Sequence, residues 1–575
     1  MIDVSWLDKD AGAQLFGAGS PHLPVTLRRL RHARVLWLNG HVAAHDPAYA
    51  AAGGTPAAYE QHLLANCGYA VALPGAEFDD GDEVVAYADR YGGPGIGLNG
   101  GSGRAAVLGG YHVKGIGRTP LVSAATDAAH ASGGAYLEEA VRETIFAEVV
   151  RSEFPHAAVP VLAILDTGLT QDWGPTRERR VLVIRPCFVR PAHFVRAVAY
   201  FSGNPTEGAA DSARVRHMFD GCLHLLGRPA FVERCRTLWT NWATQLAYGF
   251  VHRLPHGSNT ISNICLDGKL VDFGATSAVP SWADTATMLA RVPFEALQAL
   301  LPRVLRSDAY FYGRHLDPAL AEDAVLDTLA DHVGQAFRRT TVTEVLRLAG
   351  VPRALAAQQA EGADGQRWWQ LVQALIADCQ REQVDLSERG APHGRPWRFA
   401  ALWSSSVPAA LRPLRDALEA IVPPAQRELA VRRCALLAAT RHGLLREQVK
   451  PVIRRQVDPA NEGLAPQRAV IEDFICARVA ASRRDPGIDA ADAACVGFAV
   501  GQAVSYALFQ AEDGTLFAID ERAPHVRHAV AGWSAASLRF IDPAHPPFEG
   551  AVALRLPPAD HAGAAVQTPL ELEQA

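Results

Sequence analysis

Two side chains in residues 256–274 have the chemistry of metal ligands. The stretch reads His-Gly-Ser-Asn-Thr-Ile-Ser-Asn-Ile-Cys-Leu-Asp-Gly-Lys-Leu-Val-Asp-Phe-Gly, and its Asp-Gly pair between short apolar runs predicts a β-hairpin. The predicted strands are Asn263–Leu266 and Lys269–Val271. Such a hairpin brings Asn263 and Asp272 together, and an amide oxygen beside a carboxylate suits Mg²⁺ that also holds nucleotide phosphates. An ordinary surface hairpin is the alternative.

Residues 92–104 form a glycine-rich segment, with seven glycines among thirteen residues. Glycine allows positive φ and close approach of the backbone, so such a loop can present amide N–H groups to phosphate. No Gly-Lys-Ser/Thr closes the segment, which excludes a Walker A loop. A flexible linker is the alternative, although short strands are predicted on both sides. These strands are Val84–Tyr87, Ala105–Leu108 and Tyr111–Val113.

Lys114 ends the last of these strands and is surrounded by glycines, so its ammonium can reach a phosphate. Ala135–Ser152 is predicted to be a helix because its apolar residues recur at helical spacing. Glu143 lies beside that apolar stripe, where it can face inward and pair with Lys114. The alternative for both charged side chains is a solvated surface position.

Strands are predicted at Val159–Leu165 and Arg180–Ile184, and two arginines, Arg185 and Arg190, follow the second. Each guanidinium offers a planar fork of donors that matches phosphate oxygens. A zinc site is not expected, because Pro255 interrupts the helix that His252 and His256 would need in order to act as a ligand pair.

The order of predicted elements places these residues in an α+β fold. A mixed, strand-rich half is followed by a helical half, an order that resembles a bilobal protein-kinase-like fold. The clearest helix before the hairpin is Ala230–Gly249, helical periodicity continues from Trp282 to Ala349, and a loop is predicted at Ser387–Trp397. A hairpin with its turn at Asp513-Gly514 and a strand at Ala551–Leu556 follow, and the residues from about Ala562 are predicted to be frayed. The predicted divisions are an N-lobe at 1–200, a C-lobe at 201–350, a helical extension at 351–480 and a C-terminal addition at 481–575.

Composition narrows the class of protein. The net charge of −6 is spread through 575 residues without a dominant basic block, which argues against a nucleic-acid or membrane-surface partner. No apolar run approaches the roughly 20 residues that span a bilayer. No secretory signal is visible at the start, and nine cysteines without a Cys-x-x-Cys pair fit reduced thiols, so a cytoplasmic location is expected.

Several segments match, in the same order, motifs of the selenoprotein-O (SelO/YdiU) family. Gly101-Ser-Gly-Arg104 resembles the Gly-Asp-Gly-Arg that closes the family's nucleotide loop, and Val113–Pro120 is similar to its Leu-Lys-Gly-Ala-Gly-Arg-Thr-Pro motif. Ser132-Gly133 falls at a second Asp-Gly of the family, and Arg142-Glu143 matches its helix Arg-Glu. His256-Gly257 and the spacing Asn263…Asp272-Phe-Gly match its His-Gly…Asp-Asn…Asp-Tyr-Gly without gaps. The resemblance covers roughly residues 15–290.

The resemblance implies a kinase-like fold that holds ATP in a flipped orientation and transfers AMP to protein hydroxyls. It implies a nucleotide site made by Gly101, Gly103, Arg104, Lys114, Ser132, Gly133, Arg185, Arg190 and Asp272. Arg185 and Arg190 correspond to two phosphate-binding arginines of the family if this chain has a two-residue deletion between them. Asn263 and Asp272 would hold Mg²⁺ or Mn²⁺, and Glu143 would be the partner of Lys114.

The chain departs from the family at the position of the catalytic base. The family has an aspartate immediately before the metal-binding asparagine, and here that residue is Ser262. A serine hydroxyl with no neighbouring base does not accept a proton near neutral pH as a carboxylate does. The aspartates of both Asp-Gly pairs are also replaced, by Ser102 and Ser132, and the arginine after the second pair is Gly134.

Three functions follow from these residues. The first is a metal-dependent nucleotidyltransferase that moves AMP from ATP to a hydroxyl on a protein, peptide or small molecule, with catalysis by positioning and charge neutralisation. The second is a kinase that transfers the γ-phosphoryl group, which phosphate binding by the two arginines would disfavour. The third is a nucleotide-binding pseudoenzyme, which the loss of the base at position 262 would favour.

Overall fold

The coordinates are those of a computed structural model. They describe residues 2–529 except 72–74, 94–96, 127–130, 174, 201–205, 288–290, 292–293, 387–398, 404–406, 425–426, 428–429, 431–433, 435–436, 439–440, 442–443, 483–492, 501–504, 512–515, 521–526. The predicted loop at 387–397, the turn at 513–514, the strand at 551–556 and the frayed residues from 562 therefore lie outside the described residues.

An antiparallel sheet of nine strands dominates the first 190 residues. Its strands are β1 (Pro24–Leu30), β2 (Arg34–Leu38), β3 (Tyr69–Ala70), β4 (Phe78–Arg90), β5 (Gly101–Leu108), β6 (Tyr111–Lys114), β7 (Ala135–Tyr136), β8 (Ala163–Trp173) and β9 (Thr176–Pro186). Their order across the sheet is β2-β8-β9-β6-β5-β4-β1-β3, with β7 paired to β9. The fold is therefore mixed, with the strands concentrated before the helices as predicted.

The hairpin of β5 and β6 sets the position of Lys114. Gly109 and Gly110 connect the strands, and both have positive φ, at 60° and 89°. A two-residue turn of this kind matches the twist of the flanking strands and strongly favours glycine. Lys114 is consequently the last residue of β6, paired with Ala105 on one side and Val183 on the other.

Strand β9 is buried on both faces. Val181 and Val183 belong to the larger apolar core, whereas Leu182 and Ile184 belong to a second core on the opposite side of the sheet. This alternation explains why the strand appears in the sequence as a continuous apolar run.

The described helices follow and interleave with the sheet. They are α1 (Lys9–Phe16), α2 (Gly40–Ala43), α3 (Pro47–Ala51), α4 (Pro56–Cys67), α5 (Leu137–Glu153), α6 (Glu207–Leu226), α7 (Arg228–Val251), α8 (Phe294–His315), α9 (Asp323–Leu348), α10 (Arg353–Glu361), α11 (Gly365–Cys379), α12 (Arg412–Glu419), α13 (Arg446–Gln456) and α14 (Arg468–Ser482). None of the described helices is both long and apolar enough to cross a membrane.

Helix α5 is buried along nearly its whole length, from Leu137 to Glu153. It packs against β9 on one side and against α13 and α14 on others. Its buried residues therefore include charged side chains, such as Glu143 at 0% and Arg142 at 3% exposure. Because buried charges are costly unless paired, each of these side chains is expected to have a specific partner.

Two predicted elements differ in their bounds. The predicted strand at 159–165 begins only at Ala163, because Pro160 has no N–H for a ladder and the Val159 N–H donates instead to Leu270 O at 2.9 Å. The helical run predicted from Trp282 starts at Phe294 and is preceded by the strand β10 (Asp284–Ala286), which pairs in parallel with β11 (Gln383–Asp385).

Residues from the predicted helical extension return to the first sheet. Arg441 pairs with Glu153 of α5 at 2.7 Å, and Arg179 of β9 donates to the Leu464 carbonyl at 3.2 Å. Beyond α14, an antiparallel sheet contains β12 (Ala493–Val500), β13 (Ser505–Ala511), β14 (Leu516–Asp520) and β15 (Arg527–Ala529). The pairing of β13 with β14 confirms the strands of the predicted C-terminal hairpin.

Candidate functional site

Lys114 is the centre of a cluster of charged side chains. Its Nζ lies 2.5 Å from Glu143 Oε1 and 3.0 Å from Glu139 Oε1. The same ammonium lies 3.4 Å from Oδ1 of Asp272. The structure thus forms the predicted Lys114–Glu143 pair and brings Asp272 to it, by joining the end of β6, one face of α5 and the end of the 256–274 stretch.

Two arginines complete this cluster. Arg185 Nη2 donates to Glu143 Oε2 at 2.5 Å, so that carboxylate bridges a lysine and an arginine. Arg104 pairs with both oxygens of Glu139, at 2.6 and 2.9 Å. The cluster therefore holds three cationic and three anionic side chains. Only Asp272 among the carboxylates is substantially exposed, with 42% of its side chain accessible against 0% for Glu143 and 15% for Glu139.

The charged groups of the cluster shift one another's pKa values. Burial alone would raise the pKa of Asp272, but Lys114, followed by Arg104 and Arg185, holds that pKa well below its usual value. Burial and the Arg104 charge would lower the pKa of Lys114, but the surrounding carboxylates outweigh them and raise it. Asp272, with 42% of its side chain accessible, is therefore an ionised carboxylate at neutral pH, which is the state that a metal ion requires.

The two glycine-containing turns meet beside Arg104. Its Nη1 donates to Gly134 O at 2.8 Å, and the Gly117 N–H donates to Gly133 O at 3.0 Å. Gly133 has φ of +68°, and a Cβ there would lie 2.0 Å from the backbone nitrogen of Arg118. A side chain at 133 is therefore excluded by both conformation and space.

The other residues predicted for the nucleotide site in these two turns also lie beside the Lys114 cluster. Gly101 has φ of +144° and a Cβ on it would lie 2.5 Å from Asp89 O, so the chain there requires glycine. Gly103 accepts the Thr119 N–H at 3.0 Å, and the Ser132 hydroxyl accepts from the Gly134 N–H at 3.3 Å. The backbone of both turns thus lies next to the Lys114 cluster.

The predicted hairpin at 263–271 is reduced to one antiparallel bridge between Ile264 and Leu270, so the prediction of two regular strands was wrong. The turn itself is present, with Gly268 at φ of +92° and the Val271 N–H donating to Asn263 O at 3.0 Å. The second run also pairs, along its other edge, with the segment before β8, through a parallel bridge between Ala158 and Leu270.

Asn263 and Asp272 are the residues that could hold a metal ion together with a bound phosphate. The Asn263 amide nitrogen donates to the Ser258 carbonyl at 3.0 Å and hydroxyl at 2.9 Å, which turns the amide oxygen away from Ser258. Within the described part of the chain, no group of three or more His, Cys, Asp or Glu could hold a metal ion. Mg²⁺ commonly uses one or two protein oxygens and takes its other ligands from phosphates and water, so the pair suffices for that mode.

Arg190 has a different environment from the one that the resemblance implies. Its Nη2 donates to Asp89 at 2.8 Å, its Nη1 donates to the Ser262 carbonyl at 2.8 Å, and only 4% of the side chain is exposed. The guanidinium also lies between the rings of Tyr91 and Phe188, at 4.5 and 4.8 Å. In this structure Arg190 positions the backbone next to Asn263 and is not open to a phosphate.

Ser262 is paired with another hydroxyl residue. Its hydroxyl lies 2.8 Å from the Thr260 hydroxyl, and the residue is 5% exposed. Among the described residues, no Asp, Glu or His hydrogen-bonds to the Ser262 hydroxyl. The position that holds a base in the resembled family therefore holds only a hydroxyl pair here.

Three contributors to the site were missed by sequence reasoning. Glu139 lies one helical turn before Glu143, a spacing that could have indicated a second partner for Lys114. Asp89 accepts from Arg190, from His193 at 2.9 Å and from His112 at 3.0 Å, and no local pattern marks it. Arg446 reaches the Gly274 carbonyl from far along the chain.

No protein-family model and no curated protein matches the chain. The resemblance to the selenoprotein-O family accordingly stays a prediction.

Proposed function

We propose that the protein is an ATP- and Mg²⁺- or Mn²⁺-dependent nucleotidyltransferase with a kinase-like, bilobal arrangement, which moves AMP to a hydroxyl of a protein, peptide or small molecule. The observation that carries the proposal is the convergence of Lys114, Glu143 and Asp272 within 3.4 Å. Nucleotide-transferring sites need a fixed cation for the phosphates and an ionised carboxylate for the metal, and these residues supply both.

Each part of the cluster has a role in this proposal. Glu143 holds Lys114 in place, so that its ammonium is oriented before a nucleotide arrives. Asp272 and Asn263 would hold the metal ion, which neutralises phosphate charge when bound. Arg104 and the backbone of the two glycine turns would border the phosphates, where positioning and charge neutralisation lower the barrier to transfer.

Transfer of AMP is preferred to γ-phosphoryl transfer because of the resemblance in Gly101–Arg104, Val113–Pro120 and 256–274. Catalysis without a carboxylate at position 262 is feasible if the transition state is loose, because the attacking hydroxyl then loses its proton late. A slow transferase is the expected consequence.

A second function is a nucleotide-binding protein that does not transfer. The environment of Ser262 favours it, since its hydroxyl lies 2.8 Å from the Thr260 hydroxyl and hydrogen-bonds to no carboxylate of the described residues. In that case the cluster would serve to sense a metal–nucleotide complex, and a partner would read the bound state.

Labelled ATP separates these functions. The purified protein is incubated with α-³²P-ATP or γ-³²P-ATP in Mg²⁺ or Mn²⁺, alongside the variant Asp272→Asn and the surface control Asp172→Asn. Label from the α position only, lost in Asp272→Asn and kept in the control, supports AMP transfer. Label from the γ position only would make the protein a kinase. Metal-dependent ATP binding without any label supports the second function, and no binding at all would overturn the proposal.

A further inference from the structure

The carbonyl oxygen of Gly274 accepts hydrogen bonds from two arginines. Arg142 Nη1 of α5 donates to it at 2.9 Å, and Arg446 Nε of α13 donates to it at 3.0 Å. Both side chains are buried, with 4% and 10% of their surfaces exposed. Two guanidiniums on one backbone carbonyl hold that carbonyl far more firmly than solvent would.

The fixed Gly274 carbonyl restrains the backbone of Asp272, which lies two residues earlier. Asp272 has φ of +64° and ψ of +79°, in the left-handed region that residues with a side chain rarely occupy. Such a conformation persists only where the surrounding structure determines it. On its N-terminal side, His256 Nε2 contacts the Val271 carbonyl at 3.0 Å. On its C-terminal side, the restraint is the fixed Gly274 carbonyl.

Arg446 is itself fixed by the segment that follows Gly274. The Arg446 N–H donates to the Ser277 hydroxyl at 3.0 Å, and the Ala278 N–H donates to the Leu444 carbonyl at 2.9 Å. These bonds align residues 444–446 with residues 274–278. A part of the chain far beyond the predicted C-lobe therefore becomes a wall of the site.

We infer that Arg446 is a positioning residue for the metal-binding carboxylate, acting through the Gly274 carbonyl and together with Arg142; this inference rests on the proposed function. Arg142 occupies the same helix as Glu143, so it connects the helix that holds Lys114 to the turn that carries Asp272. Arg446 connects α13 to the same turn. The region around α13 is thus part of the catalytic unit.

The test measures metal affinity directly. Mn²⁺ binding is followed by electron paramagnetic resonance in the presence of a non-hydrolysable ATP analogue, and analogue binding is measured separately without metal. Arg446→Gln should weaken Mn²⁺ binding by about tenfold, the usual effect of losing a group that orients a ligand, with metal-free analogue binding unchanged. Arg446→Lys, which keeps a donor and a charge, should recover most of the affinity, and the exposed Arg455→Gln on the same helix should match the wild type.

A milder variant covers the case in which Arg446→Gln does not fold. Ser277→Ala removes the hydroxyl that accepts the Arg446 N–H, so a smaller loss of Mn²⁺ affinity is expected in the same direction. Hydrogen exchange at the Thr276 amide, which donates to Phe273 O at 3.1 Å, should rise in both variants and stay unchanged in Arg455→Gln.

The outcomes separate this inference from the proposed function. If the wild type binds Mn²⁺ with the analogue and neither variant changes that affinity, Arg446 has no positioning role and the proposed function is untouched. If the wild type binds no Mn²⁺ in the presence of the analogue, the proposed function fails and the inference fails with it.

Discussion

Arg190 donates a hydrogen bond to the backbone carbonyl oxygen of Ser262 at 2.8 Å. The other terminal nitrogen of the same guanidinium contacts Asp89, which is 1% exposed. In the sequence, Arg190 resembles a phosphate ligand. In the structure it instead links the buried Asp89 carboxylate to Ser262, the residue before Asn263. Loss of the Arg190 side chain should therefore primarily reduce the stability of the fold.

Replacing Arg190 should destabilise the protein strongly. Arg190→Gln leaves Asp89 buried without its cationic partner, and breaking a buried pair in this way typically costs about 3–5 kcal/mol. Urea unfolding of the variant should show that loss as a lower midpoint. The exposed pair of Arg177 and Asp172 provides the control, since Arg177→Gln should leave the midpoint close to that of the wild type. A variant of normal stability with weakened ATP binding would instead establish Arg190 as a phosphate ligand.

Replacing Asp272 should remove the metal dependence of nucleotide binding. Asp272→Asn keeps the size of the side chain but removes the negative charge that a divalent cation requires. Titration with an ATP analogue should show no gain in affinity on adding Mg²⁺, while metal-free binding stays equal or becomes tighter because a charge that repels phosphate is gone. Asp172→Asn, on the surface, should behave as the wild type. A full metal response in Asp272→Asn would remove this residue from the site.

The parts of the site that were predicted from sequence are those with local or periodic signals. The positions of Lys114, at the end of an apolar strand, and Glu143, beside an apolar helical stripe, were predicted from the spacing of apolar residues. Their contact at 2.5 Å confirms the pairing. The 263–271 hairpin was predicted too regular, and the pairing of Leu270 with Ala158, from another part of the chain, was not predicted. Tertiary contacts of this kind leave no trace in a local pattern.

Arg446 shows why the rest of the site could not be predicted. It contacts a carbonyl 172 residues away, and nothing in Arg446-Glu-Gln-Val-Lys distinguishes it from any basic residue at a helix start. Asp89 is similar, because its three partners come from β6 and from the residues after β9. Side chains that serve a site through long-range hydrogen bonds become visible only in three dimensions.

Restoring a carboxylate at position 262 should increase AMP transfer. In Ser262→Asp the Thr260 hydroxyl, which lies 2.8 Å from the Ser262 hydroxyl, becomes a donor to the new carboxylate. A positioned general base typically contributes a factor of about 10² or more to a proton-transfer step. The rate of α-³²P incorporation measures the effect, with Ser262→Asn as a control of equal size and no charge. An unchanged rate in both variants would mean that the acceptor chemistry does not use this position.

Asp308 should make the stability of the protein depend on pH. This residue of α8 is 4% exposed, and its Oδ2 has no hydrogen-bond partner among the described residues. Burial raises its pKa from 3.8 to about 7. Because the folded state holds the proton more tightly than the unfolded state, this group stabilises the fold least at high pH. The free energy of unfolding should fall as the pH rises from about 4 to 7 and then level off.

Asp308→Asn tests this contribution, because the amide resembles the protonated carboxyl at every pH. At roughly 1.4 kcal/mol per pH unit, the variant should exceed the wild type by a few kcal/mol at pH 8 and by much less at pH 5. Urea unfolding at both pH values gives the comparison. The control is Asp323→Asn, whose carboxyl is 95% exposed and should leave the pH profile unchanged. Equal profiles for Asp308→Asn and the wild type would show that the Asp308 carboxyl is solvated or paired in solution.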